Sequence, residues 1–156
     1  MPLDTSSYSL ALLRLDGRRW NELRRISAQI STQAAADGSS YLEIGNTKVI
    51  CTVNGPQEGR RVGGSRDSSD ASIEVNISVA GFSQVDRKRS KRTDKRTQEM
   101  QHTISSAFSD VLHTHLYPHS TISISLHVLA DDGALLAALI NASTLALIDA
   151  GIPMTD

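Results

Sequence analysis

TISISLHVLADDGALLAALINASTLALIDAGIPM, residues 121–154, changes hydrophobic period in the middle, and that change decides the fold. Its first part alternates strictly, with Ile122, Ile124, Leu126 and Val128 on one side, which predicts a strand over 121–129. The remainder, 133–150, is apolar on nearly every face, starts beside Asp131 and Asp132, and stops at Gly151 and Pro153, which predicts a helix. The long uncharged run 134–148 also raises a membrane span. Asn141, Ser143, Thr144, the many alanines and the absence of a basic flank favour a central helix packed closely against a sheet.

Working towards the N-terminus, Met100, Ile104, Phe108, Val111 and Leu112 recur at helical spacing, so 95–115 reads as an amphipathic helix that Asp94 can cap. Before it, Ile73, Val75, Ile77 and Val79 alternate with Glu74, Asn76 and Ser78, a strand over 71–79. Segments 24–31 and 40–53 are rich in β-formers and broken by Asp37-Gly38 and Gly45-Asn46, the pattern of a meander. Two stretches lack apolar period and read as loops: GPQEGRRVGGSRDSSD at 55–70 and QVDRKRSKRT at 84–93. The expected class is α/β (α+β), a mixed sheet packed by two helices, with 1–23 as an N-terminal segment and 24–156 as the body of one domain.

Length and composition agree, since 156 residues with 39% hydrophobic and 21% charged content suit a single globular domain. The one cysteine, Cys51, excludes an intrachain disulfide and a Cys-rich zinc module, and its mid-strand position reads as a small buried hydrophobe rather than a nucleophile. The opening MPLDTSSYSLALL carries no Lys or Arg before its short apolar run, so no secretion signal is expected. The histidines at 113, 115 and 119 lack metal-ligand spacing and no GxSxG elbow supports a serine triad. No metal and no cofactor are expected.

Net charge is only −1, but every Lys and Arg lies between Arg14 and Arg96, and the rest of the chain carries only acidic charges. Two basic clusters fall in or beside the predicted loops: Arg60, Arg61 and Arg66, then Arg87, Lys88, Arg89, Lys91, Arg92, Lys95 and Arg96. Flexible cations of this kind can track a phosphate backbone without reading bases. On residues alone, solvated loops, a nuclear-localisation patch in RKRSKR and nucleic-acid contact stand level. The few aromatic residues provide no stacking platform, so any RNA contact is expected to be electrostatic. The acidic later part reads either as scattered solvated carboxylates or as a face for a basic partner.

Five stretches taken together carry a resemblance: LDGRRWNELR (15–24), ADGSSYLEIGNTKVICTVNGPQE (36–58), KRTQEM (95–100), HVLADDG (127–133) and INASTLALIDAGIPM (140–154). In order and spacing they resemble the ribonuclease PH family over nearly the whole chain, most closely its eukaryotic exosome-ring members, and RRWNELRR is similar to fungal ones. The resemblance implies a ribonuclease PH-like βαβα fold and a hetero-hexameric ring of paired family members, with cap subunits and a separate hydrolytic nuclease. It also implies single-stranded RNA in a central channel, no membrane role, and residence in nucleus, nucleolus and cytoplasm. The family continues past the DAGIPM motif into a second βαβα half with acidic catalytic residues. Relative to that pattern the fold is incomplete at the C-terminus, and the helix 133–150 should leave apolar surface uncovered.

Phosphorolytic members hold phosphate with a Gly-Thr-Arg run at the start of the second helix, which here reads Ala134, Leu135, Leu136. With the Thr-Arg pair replaced by Leu135-Leu136, the resemblance leads to the expectation of a catalytically inactive homologue. Arg96 stands where the family has its other phosphate-site arginine and reads as an RNA-backbone contact. The expected RNA path is Arg60, Arg61, Arg66, Lys95 and Arg96, extended by 87–92, while Trp20 is expected to pack rather than to touch RNA. The alternatives are a phosphate-dependent 3′–5′ exoribonuclease completed by a partner subunit, and an interaction module without an RNA role.

Overall fold

The computed structural model of the chain describes residues 14, 17–19, 21–58, 70–84, 87 and 94–155. Strands β1 (Ile26–Ile30), β2 (Gly38–Ile44), β3 (Thr47–Glu58) and β4 (Ser72–Val79) are followed by helix α1 (Lys95–Val111), strand β5 (Ser120–Ala130) and helix α2 (Leu135–Asp149). The sheet order is β1-β2-β3-β5-β4, antiparallel throughout except for the β4–β5 pair. That parallel pair is the one joined through a helix, as parallel neighbours require a crossover.

The alternation seen in the sequence becomes one dry face and one wet face. Val49, Cys51 and Val53 of β3 and Ile122, Ile124, Leu126 and Val128 of β5 are all fully buried, and they share one core with Ile104 and Phe108 of α1 and Leu139 and Leu147 of α2. On the opposite face Glu74, Asn76 and His127 are exposed, and Glu43 there accepts a hydrogen bond from Tyr41 and pairs with Lys48 at 3.1 Å.

α2 lies close to the sheet because its inner face is small. Ala138, Ala142, Ser143 and Ala146 are fully buried, and the Ser40 hydroxyl donates to the Ala142 carbonyl at 2.7 Å. No helix is long and apolar enough to cross a membrane, among the described residues. The outer side of α2 leaves Leu136 38% and Ile148 56% exposed. Ile26 and Ile30 on the edge strand β1 are also exposed.

Four details differ from the sequence reading. Gly55 to Glu58 belong to β3 rather than to a loop: a register shift between Asn54 and Gln57 lets Pro56 sit where no ladder N–H is needed, and pairing resumes at Gln57–Thr121. α1 ends at Val111, not His115, because Leu112 turns extended and bridges to Met154, after which Thr114–Leu116 form a separate 3-10 turn. Asp94 stands at the N-cap of α1 without a side-chain cap bond. Asp131 and Asp132 do not cap α2 either; its N-cap is Ala134, in the left-handed region at φ 54°.

Asp149 closes α2 against the meander. It accepts the Ser31 hydroxyl at 2.5 Å and the backbone N–H groups of Ser39 at 2.9 Å and Ser31 at 3.2 Å. A carboxylate at a helix C-terminus opposes the dipole, so these donors are what hold it there. The Ser31 hydroxyl first, then the Ser39 N–H, keep its carboxyl below the ordinary range. A depressed carboxyl contributes stability above the unfolded-state pKa of about 3.9 and loses it as pH falls through the folded value. Asp149→Asn is therefore expected to lower the denaturation midpoint at pH 7, with the gap between parent and variant closing as pH falls through the folded value; a gap that stays equal down to full protonation of the carboxyl would refute the charge-based role.

Candidate nucleic-acid interface

Because β4 and β5 are parallel and each leads into a helix, the first turns of α1 and α2 both lie beyond the carboxyl ends of this strand pair, the usual ligand end of such a unit. The β5–α2 loop there is tightly held. The Asp131 carboxylate accepts Gln84 Nε2 at 3.0 Å and the Gly133 N–H at 3.2 Å, and Asp132 accepts Asn46 Nδ2 at 2.9 Å. The Thr47 hydroxyl donates to the Gly133 carbonyl at 2.8 Å and accepts the Asp132 N–H at 3.1 Å. Arg24, at the entry to β1, donates from Nη1 to that same Gly133 carbonyl at 3.0 Å.

None of Arg24, Asn46, Thr47 and Gln84 was singled out from sequence. Arg24 and Gly133 are 109 positions apart. No local pattern reveals such a contact, although Arg24 does lie in one of the stretches that carry the family resemblance.

Lys95 and Arg96 are the first two residues of α1 and are exposed. Arg87 is exposed too, while Lys88, Arg89, Lys91 and Arg92 lie outside the described residues, as do Arg60, Arg61, Arg66 and Trp20. The anchors of the first basic loop are nonetheless fixed: Glu58 pairs with Ser120 and Ser72 with Thr121, at the amino end of β5. α1 begins past Val79, which pairs with Val128 at the other end. The Glu58–Ser120 pair and the Val79–Val128 pair thus lie at opposite ends of β5, roughly 25 Å of strand apart.

Ala134 and Leu135 stand where the phosphate-binding run was sought. The Leu135 side chain is buried in the core and offers no donor. Cys51 is fully buried under Ser143, and desolvation pushes its thiol up to about 12, against a smaller opposing hydrogen bond from Ser143; it is a packing residue. His113 and His115 meet edge to face at 5.5 Å, and among the described residues no group of three potential metal ligands comes together.

The family model for the RNase PH 3′ exoribonuclease family, domain 1, matches residues 22–153. The exosome complex component ski6 of Schizosaccharomyces pombe is 46% identical over 149 residues, covering 95% of this chain and 61% of its own length. SKI6 of Saccharomyces cerevisiae is 46% identical over 151 residues, covering 96% and 61%. The crystal structure of rice (Oryza sativa) Rrp46 superimposes with a TM-score of 0.76 at 33% identity, covering 90% of this chain and 63% of that one. The chain spans about three fifths of the length of these relatives.

These likenesses correct the expectation of catalytic inactivity, since the matched family is one of 3′ exoribonucleases and the similar proteins are exosome components. The physical reason lies in what a side-chain replacement can remove. An anion at a helix start is held largely by backbone N–H groups, and the first turn of α2 keeps those whatever stands at 135 and 136. With the family match, the mixed sheet and the structural superposition in agreement, the chain belongs to the ribonuclease PH family of 3′ exoribonucleases, in its first domain.

Proposed function

We propose that this chain acts as a ring subunit of an RNA exosome, binding single-stranded RNA and guiding it for 3′–5′ processing and degradation. The observation that carries the reading is its 46% identity, over 95% of its length, to a protein named as an exosome component. The exposed Lys95 and Arg96 at the carboxyl end of the parallel pair add a surface suited to phosphates. In this reading other ribonuclease PH-like subunits complete a hetero-hexameric ring with cap subunits and a hydrolytic nuclease, in nucleus, nucleolus and cytoplasm. Along its path the RNA meets Arg60, Arg61, Arg66, Lys95 and Arg96.

Arg60→Glu with Arg61→Glu, in a ring reconstituted with family partners, is expected to shorten the RNA protected from added nuclease and to slow degradation about tenfold, with assembly intact. Unchanged protection and degradation would overturn the assignment. A second reading, phosphate-dependent exoribonuclease activity with a partner subunit, is favoured by the family match alone. Its mark is release of nucleoside diphosphates only when inorganic phosphate is present.

A further inference from the structure

Phe82 is 69% exposed. Among the other described aromatic residues, Phe108 is in the core, Tyr117 packs against it, and Tyr41 hydrogen-bonds Glu43. The exposure of Phe82 is built in by its turn. The Ala80 N–H donates to the Val128 carbonyl at 3.0 Å and the Ser83 N–H to the Ala80 carbonyl at 2.9 Å. On the far side the Ser83 carbonyl accepts the Asp131 N–H at 2.9 Å, and Gln84 Nε2 reaches the Asp131 carboxylate at 3.0 Å. Ser83 is buried, so the turn is anchored on both sides of Phe82 and presents the ring to solvent.

An outward phenyl ring has no part in the core, and although the Asp131 carboxylate is taken up within its own turn, exposed cations belong to the same end of the sheet. Exposed Arg87 follows five positions on, and the turn leaves the same carboxyl end of the parallel pair from which α1 starts with Lys95 and Arg96. A π-face beside flexible cations is the combination that holds single strands without reading sequence.

We propose that Phe82 is a stacking residue for one base of single-stranded RNA, adding a sequence-tolerant contact to the electrostatic ones. This rests on the RNA-binding reading above and deepens it. Because the backbone of the turn is already held, only the side-chain rotation of Phe82 is lost on binding, which makes a single stacking step effective.

The test uses the full chain and uniform single-stranded RNA. Phe82→Ala is expected to weaken binding about tenfold and to leave the dependence of affinity on salt unchanged, because a stack releases no counterions. Phe82→Trp should keep the affinity and add RNA-dependent fluorescence quenching beyond that of the parent with its Trp20. RNA lacking bases should bind parent and Phe82→Ala equally. If Phe82→Ala binds RNA as the parent does while neutralising Lys95 and Arg96 still abolishes binding, stacking is overturned and the RNA reading stands. If the parent shows no salt-sensitive RNA binding, both fall. If Phe82→Ala weakens assembly with partner subunits but not RNA affinity, the ring docks on protein and the proposal is overturned.

Discussion

Replacing both Lys95 and Arg96 by Glu is expected to lower affinity for single-stranded RNA by more than tenfold while leaving the fold as stable as before, or slightly more so. The stability half follows from position. These cations open α1, where the helix dipole favours negative charge, and the first turn holds no acidic residue. Neither forms an ion pair among the described residues. Each positive charge there costs roughly 0.3–1 kcal/mol relative to an acidic one at low salt. Residues kept against local preference and without a compensating contact point to function rather than folding.

The binding half follows from phosphate electrostatics. Two lost phosphate contacts should flatten the slope of log affinity against log salt by about 1.4, at roughly 0.7 per contact on a single strand. A double variant with parental affinity and slope would remove these residues from the RNA path. A variant with reduced thermal stability would mean instead that the pair supports α1.

Period and punctuation were enough for most of the architecture. The alternation in β4 and β5 marked the buried face residue by residue, and the alanines of α2 foretold a helix pressed on a sheet. Propensity misled where tertiary contacts set the outcome. Gly55-Pro56 looks like a strand end, yet a register shift keeps the chain in β3. Asp131 and Asp132 look like helix caps, yet Gln84, Asn46 and the Gly133 N–H take up their carboxylates.

The candidate site was legible as a list of cations but not as a place. Only the sheet order reveals that the strand residues Glu58 and Ser72, which flank the first basic stretch, and the strand end that leads to Lys95 lie at opposite ends of β5, because it depends on β3 and β4 both flanking β5. Phe82 could not be told from a core residue, since its exposure comes from the bonds around Ser83 rather than from any pattern of neighbours. The expectation of inactivity failed because it weighed side chains alone at a helix start where backbone groups carry much of the affinity for an anion.

Gly38→Ala is expected to be the most damaging single-methyl change in the sheet. Glycine to alanine in a strand ordinarily stabilises slightly, by restricting the unfolded chain. Here a Cβ would stand 2.3 Å from the Ala146 carbonyl oxygen, 2.6 Å from the Ala150 backbone nitrogen and 2.7 Å from the Ala150 Cβ. α2 cannot simply withdraw, because the Ser40 hydroxyl holds the Ala142 carbonyl and the Ser39 N–H holds Asp149 along the same side. Overpacking of this kind costs about 1–3 kcal/mol, and with backbone on the receiving side the upper end is expected. For a domain of this size that lowers Tm by up to about 10 °C. Adding Ala150→Gly should restore only part of the loss, since it removes the methyl contact and leaves the Ala146 carbonyl in place. A parental Tm for Gly38→Ala would mean that α2 does not lie against β2 as described. Full rescue by Ala150→Gly would locate the contact in the side chain alone.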